Sequence, residues 1–143
     1  MLDCIDTQVL PLLIGADKWP SFGERVRPYL RRMAEGSGGR YWCDDIVTAI
    51  LAGRMQLWLA LEGPEILCAM VTQVVEYPRL RAFRCIGVVG HRPRRWAHLM
   101  QDVKRVARTH FGCTRMEALL TPGHERLLDA EWAPWHSMWE CAI

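Results

Sequence analysis

Apolar positions follow a helical period in the first third of the chain and form nearly continuous runs in the middle. Between Phe22 and Met33, apolar side chains recur every three or four residues, and arginines occupy the other faces. Ser21 and Glu24 have the spacing of a capping box, and Pro28 is expected either to kink the helix or to begin its second part. The pattern predicts an amphipathic helix.

Residues 1–40 are expected to be a divergent, helical N-terminal part. Asp6 or Thr7 is placed to cap a short first helix that extends through Leu13, and Pro11 limits its length. A run of glycine and serine after the amphipathic helix then breaks the helical pattern.

A third helix is predicted after this break. Asp44 and Asp45 favour its first turn, because carboxylates stabilise a helix N-terminus. Ile46, Ala49 and Ile50 supply its buried stripe. A glycine at position 53 follows the stripe and is placed to end the helix as the C′ residue.

The middle of the chain is predicted to be β. Residues 55–61 and 65–77 flank a Glu-Gly-Pro turn and should form a hairpin, and a second turn leads into a strand at 80–88. An amphipathic helix at 96–111 and a strand at 115–120 follow. Since strand–helix–strand crossovers are right-handed and join parallel strands, the strands on either side of the helix should lie adjacent and parallel. The apolar runs indicate a sheet covered on both faces.

Two more elements are predicted near the C-terminus. Pro122 opens a short helix to about Asp129, and residues 135–142 are predicted to form a last strand. Trp135 and Trp139 are four residues apart and would share one face of that strand. This face either packs on the core or belongs to an edge strand that contacts a second chain.

Composition narrows the classes of function. The chain of 143 residues has 18 basic and 16 acidic residues, a net charge of +2, which is too small for nucleic-acid binding by bulk attraction. The six cysteines include no C-x-x-C pair, which indicates a reducing compartment without disulfides. The sequence has neither a basic n-region nor an apolar run of about 18 residues, so a signal peptide or membrane span is not expected. We expect a single cytoplasmic domain covering residues 1–143.

The stretch 80–111 carries the candidate binding site. A strand leads through the basic loop at 90–95 into the amphipathic helix. The first N–H groups of a helix have no intrahelical partners and point at whatever lies over the loop. Because Arg92, Arg94 and Arg95 lie there, the arrangement suits a phosphate-bearing ligand such as a nucleotide-type cofactor.

The order of elements resembles the GNAT N-acetyltransferase superfamily over residues 40–143. Three segments also resemble short GNAT-like proteins of tailed bacteriophages: the entry to the first strand at 51–60, the tryptophan-containing helix at 96–111, and the segment at 122–128. The resemblance implies an α/β fold with a GNAT-like mixed sheet flanked by helices. It implies that the family's usual first strand is missing here, and its last strand as well.

The resemblance also implies acetyl-CoA as the cofactor. The family's loop, Q/R-x-x-G-x-G/A, holds the pyrophosphate on backbone N–H groups, and it falls here on residues 87–92, where only Gly90 matches. The arginines either replace those backbone contacts with ion pairs or line a solvated loop. The implied cofactor-binding residues are Val88, Val89, Gly90, His91, Arg92, Arg94 and Arg95.

The resemblance leaves the catalytic residues unassigned. The family uses a tyrosine to protonate the departing thiolate, and the matching position is Leu128, which has no proton to donate. Glu117, His91 and His124 are conceivable substitutes, and each also fits an ordinary position on the surface, in a loop or at a helix start. Amine attack on a thioester mainly needs positioning and an oxyanion donor. No metal site is expected, since no carboxylate or cysteine completes a ligand set with His91 and His98.

Two functions are consistent with these features. The first is GNAT-like transfer of an acetyl group from acetyl-CoA to an unknown amine, in the cytoplasm of an infected bacterium if the chain is phage-encoded. The second is a catalytically inactive GNAT-fold protein of the phage head–tail region, located in the virion, that binds itself or other particle proteins. The strand–loop–helix unit and its arginines favour the enzyme, whereas the degraded motifs and the C-terminal tryptophans favour the structural protein.

Overall fold

The computed structural model describes residues 9–143. The strands are β1 (Val9–Ile14), β2 (Gln56–Glu62), β3 (Glu65–Glu76), β4 (Arg81–Gly90) and β5 (Arg115–Ala118). The helices are α1 (Trp19–Glu35), α2 (Cys43–Leu51), α3 (Pro93–Trp96) and α4 (Met100–Thr109). Short 3-10 turns lie at Ala97–Leu99, between α3 and α4, and at His124–Leu127, after β5.

The strands form one mixed sheet in the order β1-β2-β3-β4-β5. β1 to β4 pair antiparallel in turn, whereas β5 pairs parallel with β4, from Ala82 opposite Arg115 to Cys85 opposite Ala118. α3 and α4 form the connection between these parallel strands. The predicted hairpin, the predicted parallel pair and the α/β fold class are therefore confirmed.

The sheet separates two apolar layers. On one face, α1 and α2 pack through Val26, Leu30 and Ile46, each at most 1 % exposed. On the other face, α4 packs Val103 near the fully buried Phe83. Burying each such side chain stabilises the fold by about 1.5–3 kcal/mol. Helices on both faces explain why the inner strands are apolar at nearly every position.

The expected N-terminal helix is wrong, because Val9–Ile14 form the edge strand β1 instead. β1 pairs antiparallel with β2 along its whole length, so the sheet has the first strand that was expected to be missing. Pro11 is tolerated because an edge strand has backbone N–H positions that need no ladder partner. The proposed caps, Asp6 and Thr7, lie outside the described residues.

The helix α1 begins earlier than expected and is continuous. It begins at Trp19, with Pro20 in its first turn, where the missing N–H would be unpaired in any residue. Ser21 is therefore inside the helix, and the capping-box prediction is wrong. The helix continues through Pro28 to Glu35, so no second helix begins at the proline.

The helix α2 has the ends that the sequence predicts. Asp44 and Asp45 lie in its first turn, and the Asp45 carboxylate accepts a 2.9 Å hydrogen bond from the backbone N–H of Trp42. Ala52 is the C-cap residue, and Gly53 follows it. Gly53 has a φ of +76°, which lies in the left-handed region that favours glycine.

The predicted strand at 135–142 is wrong, because the described chain has no regular element after Leu127. Trp135 is 72 % exposed and Trp139 is 89 % exposed, so the first of the two alternatives, in which these side chains pack on the core, is wrong. A strand is stabilised by its neighbours more than by its own residues, and this segment has no ladder partner in residues 9–143. An ion pair of 2.7 Å from Arg40 to Glu140 attaches it instead, and a second pair of 2.7 Å, from Lys104 to Glu131, lies just before it in the chain.

Candidate functional site

The strand β4 separates from β5 halfway along its length. The last contact between them is a 3.1 Å hydrogen bond from the Leu119 N–H to the Cys85 carbonyl. β4 then continues to Gly90, paired with β3 but with no strand on its other side in the described part of the chain. One edge of residues 86–90 therefore keeps backbone groups available to a ligand.

A β-bulge lies where the two strands separate. In the β3–β4 register, Val71 faces Gly87 and Thr72 faces Cys85, so Ile86 is an extra residue. The bulge places two successive positions toward the α1–α2 layer: Ile86 packs on that core, and a Cβ atom at Gly87 would lie 3.0 Å from Cγ of Met33. Bulges of this kind redirect a strand and occur often beside active sites.

The direction of the β4 backbone follows from its last hydrogen bond. The N–H of His91 donates to the Leu67 carbonyl of β3 at 2.9 Å. Because successive residues of a strand point their backbone groups to opposite neighbours, the N–H and C=O of Gly90 and Val88 face the unpaired edge. The side chain of Val89 packs instead against the α1–α2 core.

Gly90 is required by the fold itself. A Cβ atom there would lie 2.6 Å from the Leu67 carbonyl oxygen and 2.9 Å from the Cα of Cys68. A Cβ atom does not approach non-bonded atoms so closely, so any other residue would force β4 away from β3. The matched glycine of the cofactor loop thus has a packing reason that is independent of a cofactor.

Two carboxylates partly neutralise the basic loop. Arg95 forms an ion pair with Glu62 at 2.7 Å, His91 contacts Glu65 at 3.1 Å, and Arg92 lies 4.0 Å from the other oxygen of Glu65. Both glutamates flank the turn between β2 and β3. No local sequence signal points to these glutamates, because 26 and 33 residues separate the partners along the chain.

One arginine of the loop, Arg94, has no partner in the described part of the chain. Arg94 is exposed and has no ion pair or side-chain hydrogen bond within residues 9–143. Arg92 has φ of 54° and turns the chain sharply, so that Pro93 begins α3. The loop therefore brings Arg92 and Arg94 to the surface directly beyond the unpaired edge of β4.

A hydrogen-bonded cluster joins β4, β5 and Tyr77, the residue that follows β3, on the α1–α2 face. The Tyr77 hydroxyl donates to the Glu117 carboxylate at 2.8 Å, and the Arg84 guanidinium contacts both groups, at 2.8 and 3.1 Å. Partial burial acts to lower the pKa of Arg84, but the hydrogen bonds and charges of Glu117 and Tyr77 together outweigh it and raise the pKa. Glu117 is not a solvated surface residue, since only 18 % of its side chain is exposed.

A cleft of about 330 Å³ opens on the same face as this cluster. Gln73 of β3 lies in its wall and is the cross-strand neighbour of Arg84. The rest of the lining comes from α2 and the loops on either side of it. The lining residues are Tyr41, Asp45, Thr48, Ala49, Arg54, Met55 and Gln73.

The other sequence candidates are dispersed. His124 is the first residue of a 3-10 turn, which takes the place of the short helix predicted from Pro122 to about Asp129. Leu128, at the position of the family's tyrosine, is half-buried after that turn. Residues 9–143 contain no cluster of three or more His, Cys, Asp or Glu side chains that would hold a metal ion. Within the same range, no helix combines the length and apolarity needed to cross a membrane.

Comparison by sequence finds no relative. No protein-family model matches the chain, and no curated protein matches it.

Comparison by structure finds acetyltransferases. A GCN5-related N-acetyltransferase from Ralstonia eutropha JMP134 superposes with a TM-score of 0.69 at 15 % identity, over 94 % of this chain and 98 % of that one. An aminoglycoside acetyltransferase from an uncultured soil metagenomic sample, in complex with sisomicin, gives 0.69 at 10 % identity, over 97 % and 99 %. A ribosomal-protein-alanine N-acetyltransferase from Brucella melitensis biovar Abortus 2308 gives 0.60 at 14 % identity, over 92 % and 99 %. At these identities the similarity shows a shared fold: the chain has the mixed sheet and flanking helices of GNAT-type acetyltransferases.

Proposed function

We propose that this protein binds acetyl-CoA and transfers its acetyl group to an amine. The observation that carries the proposal is the separation of β4 from β5 after Cys85, which leaves the edge of residues 86–90 unpaired and directed at a basic loop. The fold shared with acetyltransferases supports the same conclusion.

The unpaired edge suits the pantetheine arm of the coenzyme. That arm carries two amide groups, which can pair with the backbone of Val88 and Gly90 as an added strand does. His91, Arg92 and Arg94 would then lie near the phosphates, with Val89 supporting the strand from the α1–α2 layer. Arg95 is paired with Glu62, so its contribution to phosphate binding is smaller than that of Arg92 and Arg94.

Bound acetyl-CoA would supply a thioester. Attack of the amine nitrogen on its carbonyl carbon would form a C–N bond as the C–S bond breaks. The amine proton would end on the departing thiolate. The chain contributes backbone N–H donors on the unpaired edge, where they would stabilise charge on the carbonyl oxygen. It also contributes positioning, which lowers the barrier because both reactants are held in place.

No side chain is proposed as the acid or the base. Leu128 has no proton to donate. The Glu117 carboxylate accepts hydrogen bonds from Tyr77 and Arg84, so its oxygens are already occupied. We therefore propose that water carries the proton transfers.

Isothermal titration calorimetry with acetyl-CoA tests the proposal. Replacing Arg92 and Arg94 together with alanine should weaken binding by about 3 kcal/mol, or more than 100-fold, since each charged hydrogen bond contributes about 1.5–3 kcal/mol. Arg108→Ala is the matched control, because Arg108 is exposed on α4 with no partner in the described chain. Equal affinities for the wild type and the double variant would show that the loop does not bind the phosphates.

A second candidate function is a GNAT-fold interaction protein without activity, for instance in the phage particle that the sequence resemblance suggests. The observation that favours it is the set of exposed apolar side chains near the C-terminus, at Trp135, Met138 and Trp139. Absence of acetyl-CoA binding at millimolar concentration, together with a stable assembly in sedimentation, would support this alternative and contradict the enzyme.

A further inference from the structure

The cleft beside α2 lies within reach of the β4 bulge. Gln73 in its wall pairs across the strands with Arg84, and Arg84 precedes the bulged Ile86 by two residues on the α1–α2 face. At about 3.3 Å per residue, the bulge is roughly 7 Å from that wall. If the acetyl group is held at the bulge, as in the proposed function on which this inference rests, the acceptor amine approaches from this cleft.

The polar groups of the cleft are mostly neutral. Tyr41 and Thr48 offer hydroxyls, and Gln73 offers an amide. The charged lining residues are Asp45 and Arg54. A molecule bound here can be recognised by hydrogen bonds along its length and by charge at one or two points.

The two charged residues of the cleft are not equivalent. The Asp45 carboxylate accepts the backbone N–H of Trp42 at the start of α2, so it already serves the helix. The Arg54 guanidinium has no ion pair and no side-chain hydrogen bond in the described part of the chain. The nearby carboxylate of Glu117 is bound by Arg84 and Tyr77. Asp45 and Arg54 carry opposite charges, but only Arg54 has charged donors that no group in the described part of the chain uses.

We propose that Arg54 binds a carboxylate of the acceptor, so that the acceptor is an amine that also carries a carboxylate, such as an amino acid or a short peptide. A guanidinium matches a carboxylate with two parallel hydrogen bonds. A polycationic amine such as an aminoglycoside fits poorly, because it would place several positive charges against Arg54 with a single acidic residue in the lining. Arg54 is thus assigned as a specificity-determining residue.

Direct binding measurements test this assignment without acetyl-CoA. The probes are alanyl-alanine with a free carboxylate, the same dipeptide with an amidated C-terminus, and sisomicin, each titrated into the full chain by NMR. The free dipeptide should bind with a Kd below about 10 mM and at least about tenfold more tightly than its amide. Arg54→Gln should abolish the difference between the two dipeptides.

Arg79→Gln is the control, since it removes the same charge from an exposed residue at the turn before β4, outside the cleft. It should leave the tenfold difference unchanged. Equal binding of the acid and the amide, tighter binding of sisomicin, or no binding of the free dipeptide would each overturn the assignment. Acetyl-CoA titrations of the same variants separate the two proposals. Arg54→Gln should leave the affinity for acetyl-CoA unchanged. If the wild-type protein binds the dipeptide but not acetyl-CoA, only the proposed activity is refuted.

Discussion

Replacing Gly90 by alanine should destabilise the protein whether or not a cofactor is present. The added Cβ would lie 2.6 Å from the Leu67 carbonyl oxygen, and ordinary contact begins at 3.4 Å, so β4 would have to move by about 0.8 Å. The same oxygen accepts the His91 N–H, and that bond would lengthen from 2.9 Å. Overpacking costs about 1–3 kcal/mol and the weakened hydrogen bond about 1 kcal/mol, which gives a loss of about 2–4 kcal/mol.

Urea denaturation of the protein without acetyl-CoA measures this loss. Gly36→Ala is the control: Gly36 ends α1 with φ of −78°, and its added Cβ would lie 3.6 Å from the nearest atom, a carbonyl oxygen. That change should be neutral or stabilise by up to about 1 kcal/mol, because alanine restricts the unfolded chain. If Gly90→Ala unfolds within about 0.5 kcal/mol of the wild type, the close approach of β3 and β4 is refuted.

Three further changes test separate features. Thr72 is fully buried, accepts the Trp58 indole N–H at 2.9 Å and donates to the Gln56 amide oxygen at 2.9 Å. In urea denaturation, Thr72→Val should lower the free energy of unfolding by about 2–4 kcal/mol, and Thr72→Ser should lower it less. A valine variant as stable as the wild type would contradict the hydrogen-bond network. Burial raises the pKa of the Cys85 thiol from 9.0 to about 12, so its contribution to stability is complete below pH 9 and is lost at about 1 kcal/mol per pH unit between pH 9 and 12. Cys85→Ala should therefore lose less stability than the wild type between about pH 8 and pH 10, and equal slopes would argue against the burial. Trp139→Ala should change the free energy of unfolding by less than about 0.5 kcal/mol, because the side chain is 89 % exposed, and a large loss would mean that the tail packs on the core.

The parts of the fold that the sequence predicts correctly are those with local signals. The α2 ends are determined by Asp45 and Gly53, and the helix after the loop is determined by a period that residues 100–109 carry themselves. The first strand was missed because a six-residue apolar run with a proline has no helical or β period of its own. It forms a strand because it pairs with β2, which lies more than 40 residues later in the chain.

The candidate site is less predictable for the same reason. The loop arginines and Gly90 are visible in the sequence, but the partners of Arg95 and His91 come from the β2–β3 turn. The contact between Tyr77 and Glu117 joins residues 40 positions apart. Such pairs depend on strand order, which the composition of either segment does not specify.

Two ion pairs attach residues 131–143, the C-terminal tail, to the rest of the molecule. Its ion pairs, Lys104 with Glu131 and Arg40 with Glu140, join it to opposite layers of the sheet, and both glutamates are largely exposed. Exposed pairs contribute at most about 1 kcal/mol, and the range of their field shrinks from about 8 Å in physiological salt to about 3 Å in 1 M salt. The attachment of the tail is therefore a function of ionic strength, whereas the sheet, held by apolar burial, is not. We expect high salt to detach the segment that carries Trp135 and Trp139 while the sheet stays folded. The tail would then move as a flexible segment joined to the sheet by the chain alone.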